Sequence, residues 1–134
     1  MDEKSINNLY RSGGANDSTL VVVSSAVNIE KEWRFFVSQE KGVLAGSTYS
    51  ADPNSNETEI AEYPYEAKEF AEKVMIDFGD KAIDKLLVID VALTDLGYRL
   101  VEVNAASTSG MYGCNCTPII LEMEHIIDQE NNME

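Results

Sequence analysis

The chain has 134 residues, 44% hydrophobic and 25% charged, which fits one folded domain and excludes collagen-like, low-complexity and wholly disordered chains. Asp and Glu number 24 against 10 Lys and Arg, a formal net charge of -14, so direct binding to a nucleic-acid backbone is disfavoured. No apolar run reaches the about 20 residues of a membrane-spanning helix, and the start lacks the apolar core of a secretory signal, so we expect a cytoplasmic protein without membrane contact.

The N-terminal part divides into a polar segment and the start of the folded domain. Residues 1–18 are polar and rich in turn formers, which predicts a flexible N-terminal lead-in. The domain is predicted to cover residues 19–130. Its first strand is expected at Thr19–Val23, because β-branched side chains dominate there.

A hairpin is predicted next. Two strand-like runs, Trp33–Ser38 and Val43–Tyr49, flank the turn-forming segment Gln39–Gly42. Residues 50–62 are polar and contain turn chemistry, which predicts an exposed loop after the second strand.

One amphipathic helix is predicted between Tyr65 and Gly79. Pro64 precedes it, and Gly79 is placed to end it. Apolar residues recur at the three-and-four spacing of one helical face. These residues are Ala67, Phe70, Ala71, Val74, Met75 and Phe78.

A second hairpin and a second helix follow. Strands are predicted at Lys85–Ala92 and Gly97–Asn104, and a helix is predicted to begin near Thr117-Pro118, with Thr117 as its cap. The order β-β-β-loop-α-β-β-loop-α predicts an α+β fold: a mostly antiparallel sheet of about five strands covered by two helices. The second helix has one predicted apolar face, formed by Ile119, Ile120, Met123, Ile126 and Ile127.

Carboxylates interrupt the two otherwise apolar strands of the second hairpin. Asp90 lies between Ile89 and Val91, and Glu102 lies between Val101 and Val103. A left-handed Gly97 in a three-residue loop would pair Thr94 with Tyr98. Counting outward from that pair places Asp90 opposite Glu102 and Val88 opposite Asn104. The side chains of Asp90, Glu102 and Asn104 are therefore expected on one face of the sheet.

Two carboxylates and an amide oxygen form a hard, oxygen-only ligand set that suits magnesium. The residues leave an alternative open, in which Asp90 caps a turn and Glu102 pairs with Arg99 or a lysine at the sheet edge. For Arg34 the alternative is an ion pair with Glu32 or Glu40 along the strand.

An ordered series of segments resembles the ATP-grasp superfamily. Asp90 and Glu102-Val103-Asn104 resemble its metal-binding Asp and Glu-x-Asn residues. Val23–Val37, which contains Glu32-Trp33-Arg34, resembles the hinge strand and the Glu-x-Arg strand of a phage and bacterial branch. The segments Gly46–Tyr49 and Ser107–Tyr112 resemble the next strand and the loop after Glu-x-Asn.

The resemblance implies a nucleotide site and a magnesium site. The nucleotide would lie against the backbone of Ser25, Ala26 and Val27, with Arg34 near its phosphates as the catalytic cation. Magnesium would be held by Asp90, Glu102 and Asn104. In that family the site activates a carboxylate as an acylphosphate, which an amine then attacks.

The resemblance covers only the C-terminal half of the ATP-grasp fold. The first half supplies lysines and a glycine-rich loop, and no lysine of this chain matches those positions. We therefore expect an ATP- and magnesium-binding half that another chain completes, with a homodimer as one form of self-association. The alternative is a non-catalytic acidic inhibitor of phage type that binds and blocks another protein.

Other residues with chemical potential have plainer interpretations. Cys114 and Cys116 are predicted to be reduced, buried thiols, because one residue separates them. His125 is expected at a helix boundary or facing a partner. Tyr112 and Cys114 are expected either to pack in the loop or to shape an acceptor pocket, and Trp33 is predicted to lie in the core.

Overall fold

Two hairpins build one antiparallel sheet in the part of the chain that this computed structural model describes, residues 16, 18–20, 25–49 and 60–132. The strands are β1 (Ile29–Ser38), β2 (Gly42–Tyr49), β3 (Leu86–Thr94) and β4 (Gly97–Ala105). Their order in the sheet is β2-β1-β3-β4, so β1 and β3 occupy the centre. Helices α1 (Tyr65–Phe78) and α2 (Cys116–Asn131) complete the fold. The predicted α+β class is confirmed.

The described sheet has four strands where about five were predicted. Thr19 and Leu20 are not in a strand, and Val21–Val23 lie outside the described residues. Most of the predicted lead-in and residues 50–59 of the predicted loop also lie outside them.

Each helix covers a different face of the sheet, because successive strand side chains point to opposite faces. The first face packs on Ala67, Ala71 and Met75 of α1, and the second packs on Ile119 of α2. Side chains of β1 and β3 on the α1 face are Trp33, Phe35, Val37, Leu87, Ile89 and Val91. Side chains of the same strands on the α2 face include Phe36, Leu86 and Val88.

Helix α1 confirms the predicted amphipathic helix. Pro64 precedes its first residue, and Gly79, with a φ of 49°, follows its last. The Gly79 N–H donates to the Met75 carbonyl and closes the final turn. The predicted apolar face packs on the sheet as expected, and Trp33 lies in that core.

Helix α2 begins earlier than predicted. Asn115 is its N-cap, and the Asn115 side chain accepts a hydrogen bond from the Thr117 N–H at 3.1 Å. Ile119, Met123 and Ile126 pack on the sheet, whereas Ile120 and Ile127, which were predicted to pack, are exposed. No helix in the described ranges is long and apolar enough to cross a membrane.

The second hairpin reaches the predicted register by a different route. Thr94 pairs with Gly97 rather than with Tyr98, although Gly97 is left-handed as expected, with a φ of 86°. A bulge in β4 then shifts the pairing by one residue between Asp90 and Val91. Beyond the bulge, Asp90 pairs with Glu102 and Val88 pairs with Asn104, which confirms the predicted pairs.

Candidate functional site

A row of polar side chains crosses all four strands on the α2 face. Ser47 of β2 pairs with Arg34 of β1, Arg34 pairs with Asp90 of β3, and Asp90 pairs with Glu102 of β4. Directly paired residues place their side chains on the same face, about 5 Å apart. We call Ser47, Arg34, Asp90 and Glu102 the polar row. Asn104 lies on the same face, two residues along β4 from Glu102.

Arg34 and Asp90 form a buried, bidentate ion pair at the centre of the row. Arg34 Nε donates to Asp90 Oδ1 at 2.8 Å, and Arg34 Nη2 donates to Asp90 Oδ2 at 2.7 Å. Arg34 is 5% exposed and Asp90 1%. The hydrogen bonds to Asp90 raise the pKa of the Arg34 guanidinium, although burial opposes the shift. Arg34 therefore pairs with Asp90 and not with Glu32 or Glu40, and Asp90 does not cap a turn.

Two neighbouring tyrosine rings pack against the Arg34 guanidinium. Its Cζ lies 4.6 Å from the centroid of the Tyr49 ring and 4.7 Å from that of Tyr112, both within cation–π range. The two rings meet edge to face at 5.1 Å. Arg34 Nη1 also donates to the Gly110 carbonyl at 3.4 Å. Burial, followed by the nearby Tyr112, raises the pKa of Tyr49.

The charge of Asp90 extends to its neighbour on β1. Burial is the main cause that raises the pKa of Glu32, and the charge of Asp90 adds to it. Glu32 lies two residues before Arg34 and therefore on the same face of the sheet. This end of the face holds more acidic groups than Arg34 alone neutralises.

Glu102 and Asn104 are the accessible oxygen donors of the predicted magnesium set. Glu102 is exposed and Asn104 is half-buried. Among the described residues no ion pair involves Glu102, and Arg99 donates instead to the Tyr98 carbonyl. The alternative pairing of Glu102 with Arg99 is therefore absent from this part of the chain.

Asp90, Glu102 and Asn104 have the oxygen donors that magnesium prefers, but Asp90 is less available than the other two. Magnesium needs only one or two carboxylates when phosphates and water complete its octahedron. Glu102 and Asn104 meet that requirement, whereas both oxygens of Asp90 already accept from Arg34. Within the described ranges no group of three or more His, Cys, Asp or Glu side chains is placed to hold a metal ion. The predicted set has only two residues of these types, Asp90 and Glu102, because its third member is the amide Asn104.

Ser25, Ala26 and Val27 lie apart from the polar row along the chain. They are exposed backbone before β1, outside the sheet. β1 begins at Ile29, five residues before Arg34, which corresponds to about 16 Å of extended strand. No hydrogen bond in the described part of the chain joins these residues to Arg34 or Asp90.

The two cysteines differ in environment. Both are free, but Cys114 is buried whereas Cys116 is exposed, so the prediction of two buried thiols is wrong for Cys116. Cys116 is the first residue of α2, beside solvent. The Cys114 thiol donates to Ser47 Oγ at 3.5 Å, and burial raises its pKa. Cys114 thus packs from the loop against the polar row.

Sequence reasoning missed a second buried carboxylate. Glu122 of α2 is 2% exposed, accepts from Ser38 Oγ at 2.5 Å and forms an ion pair with Lys41. Burial alone would raise the pKa of Glu122, but the hydrogen bonds from Lys41 and Ser38 outweigh it and lower that pKa. This contact joins α2 to the β1–β2 turn. Its neighbour His125 is exposed, as expected for a boundary residue, and lies 2.9 Å from Gln129.

Sequence reasoning also missed the partners of Arg34. The pairing of Ser47 with Arg34 could have been predicted, because counting residues outward from the first hairpin turn places the two residues near each other. Tyr112 lies in an irregular loop, where no periodicity predicts what a side chain contacts.

Comparison with known proteins gives one match. The model of an ATP-grasp domain family, the second family of its clade, matches residues 3–120, most of the chain. This match confirms the resemblance drawn from the sequence. No curated protein and no solved structure matches the chain.

Proposed function

The chain belongs to this ATP-grasp domain family, and from this premise we propose that it binds magnesium-ATP on the α2 face for carboxylate–amine ligation. The observation that supports this proposal most is the placement of Arg34, Asp90, Glu102 and Asn104 on one face. A cationic group and oxygen donors side by side are what a magnesium-bound triphosphate requires.

Glu102 and Asn104 would hold the metal. A magnesium ion bound there would neutralise charge on the phosphates and orient them. Asp90 lies directly opposite Glu102 and becomes a third donor when its hydrogen bonds from Arg34 are released. Glu102 and Asn104 are therefore the primary ligands in this proposal.

Arg34 would contact the transferred phosphoryl group. A guanidinium binds phosphate oxygens in the same bidentate way that it binds the Asp90 carboxylate. The backbone of Ser25, Ala26 and Val27 is exposed and would contact the rest of the nucleotide, as the resemblance implies.

The reaction has two transfers. A substrate carboxylate oxygen attacks the terminal phosphorus of ATP, and ADP leaves, which gives an acylphosphate. An amine then attacks the acyl carbon, and inorganic phosphate leaves as the amide forms. Developing negative charge requires several cations, and Arg34 is the only cation in the polar row. We therefore propose that a second chain, either another protein or another copy, supplies the remaining phosphate contacts.

Isothermal titration calorimetry tests nucleotide binding. ATP is titrated into the purified chain with magnesium and, separately, with a chelator. We expect binding that requires magnesium and that Glu102→Gln weakens at least about tenfold. Glu66→Gln is the matched control, because Glu66 is exposed on α1 on the opposite side of the sheet. No heat at millimolar ATP, with or without a second chain, would contradict the proposal.

The buried state of Arg34 favours a second candidate, an acidic inhibitor that blocks another protein. The guanidinium is already paired and enclosed, and the chain carries a net charge of -14, which suits a basic partner surface. A Glu102→Ala, Asn104→Ala double variant separates the two functions. An inhibitor retains its partner at full stoichiometry in this variant, whereas a ligase half loses magnesium-ATP binding.

A further inference from the structure

We propose that residues 109–114 form a lid, which Tyr112 holds closed over the Arg34–Asp90 pair and which the phosphates of a nucleotide open by taking the Arg34 guanidinium. This inference rests on the proposed function, because it assumes that a nucleoside triphosphate is the ligand. It adds that the site closes over itself when no nucleotide is bound.

In the closed state, contacts within the chain occupy most of the Arg34 guanidinium. One edge of its guanidinium donates twice to Asp90, Nη1 donates to Gly110, and the adjacent rings of Tyr49 and Tyr112 lie 4.6 and 4.7 Å from its Cζ. The Arg34 side chain is only 6% exposed. A triphosphate cannot reach this guanidinium unless one wall of the enclosure moves.

Tyr112 is the wall that is free to move. Tyr49 ends β2 and is held by the hairpin, whereas Tyr112 is 47% exposed and lies in a loop between β4 and α2. Its φ of 47° is in the left-handed region, which a tyrosine adopts only when its surroundings compensate. The contacts with Arg34 supply that compensation, so their loss favours opening.

The lid also carries a thiol whose exposure reports its position. Cys114 ends the loop, and its N–H donates to the Met111 carbonyl at 2.9 Å. Cys114 is 7% exposed, and its thiol lies against Ser47 in the polar row. Opening of the loop therefore exposes Cys114 to a thiol reagent.

ATP affinity is the first test. We expect Tyr112→Ala to tighten ATP binding in magnesium about tenfold, because the cost of opening the lid is removed. Tyr112→Phe keeps the ring over Arg34 and should restore the native affinity. Tyr65→Ala is the matched control, since Tyr65 is 64% exposed on α1. Unchanged or weaker binding by Tyr112→Ala would overturn the lid.

Thiol labelling is the second test, and it needs no nucleotide. In a Cys116→Ser background Cys114 is the sole thiol, because the chain has only two cysteines. Tyr112→Ala should raise the labelling rate of Cys114 about tenfold, whereas Tyr112→Phe and Tyr65→Ala should not. Matching urea midpoints would exclude global unfolding as the cause.

The two tests separate the lid from the proposed function. ATP binding with unchanged affinity and unchanged labelling in Tyr112→Ala overturns the lid alone. A lack of ATP binding in every variant overturns both. Faster labelling together with tighter binding supports both.

Discussion

The α1 face of the sheet is apolar from Trp33 to Val37 on β1 and from Leu87 to Leu93 on β3, whereas the α2 face changes from apolar to charged halfway along the same strands. On β1, the first face carries Trp33, Phe35 and Val37, while the second carries Phe36 and then Arg34. Helix α2 packs over the apolar half. The charged half is covered instead by Tyr49 and a loop.

The two faces therefore differ in how much they contribute to the stability of the fold. An apolar face under a helix buries surface and supplies much of the free energy of folding. A buried ion pair at the centre of a sheet is weak support for stability, because the cost of desolvation offsets the attraction between the charges. The buried pair of Arg34 and Asp90 is therefore not explained by its contribution to stability, and the proposed function gives it a role.

The largest expected effect comes from breaking the buried pair. Arg34→Met should lower the free energy of unfolding by about 3–5 kcal/mol, because it leaves the Asp90 carboxylate buried without its partner. The combined Arg34→Met, Asp90→Leu variant should recover most of this loss. Urea denaturation measures each variant.

An exposed ion pair provides the control for that prediction. Lys68 and Glu72 are four residues apart on α1, at 3.0 Å, and both are partly exposed. Lys68→Met should cost less than about 1 kcal/mol. Equal losses for Arg34→Met and Lys68→Met would remove the distinction between the pairs.

Overpacking of the apolar face is expected to have the next largest effect. A Cβ on Gly46 would lie 2.6 Å from Phe35 Cδ1 and 2.9 Å from Tyr63 Cδ1. Gly46→Ala should therefore cost about 1–3 kcal/mol. In a Phe35→Leu background the same change should cost less, because the ring is absent. An identical cost in both backgrounds would show that the contact with Phe35 is not the cause.

A smaller effect is expected where α2 meets the β1–β2 turn. Glu122→Gln should lower stability at pH 7 by about 1–2 kcal/mol, because it removes charged hydrogen bonds. The pKa of Glu122 is lowered below 4.5 in the folded chain. The contribution of Glu122 to the free energy of unfolding is therefore present above its ordinary pKa and is lost as the pH falls through the lowered pKa.

The measurement for Glu122 is a series of urea unfolding curves between neutral and acid pH. The difference between the native chain and Glu122→Gln should shrink as the solution is acidified. Glu124→Gln, an exposed change on the same helix, should alter stability by less than about 0.5 kcal/mol at every pH. A pH-independent difference for Glu122→Gln would contradict the assigned cause.

The smallest effect on stability is expected at the open end of the polar row. Glu102→Gln should change the free energy of unfolding by less than about 0.5 kcal/mol, because Glu102 is exposed. Its effect on magnesium-dependent ATP binding should nevertheless be large. A substantial loss of stability in urea would indicate a structural role for Glu102.

Local patterns were sufficient to predict most of the fold. The apolar spacing of α1 and the positions of the two hairpins were readable from the sequence because they depend on neighbouring residues. The pairing of Asp90 with Glu102 was correct although the predicted turn was wrong, because the β4 bulge restored the register that the shorter turn had shifted.

The parts that sequence did not predict depend on contacts between distant segments. Arg34 and Asp90 are 56 residues apart in the chain, so no local spacing indicated that they would pair. The burial of Glu122 was not predicted, because its partners Ser38 and Lys41 lie in the first hairpin, far from Glu122 in the sequence. The loop with Tyr112 has no periodicity from which its position could be inferred.

The most direct test is a crystal structure of the chain with magnesium and a nonhydrolysable ATP analogue. We expect a metal ion coordinated by Glu102 and Asn104, with the guanidinium of Arg34 turned from Asp90 to the phosphates. An Arg34 that remains on Asp90, with no metal ion beside Glu102, would contradict the proposed site.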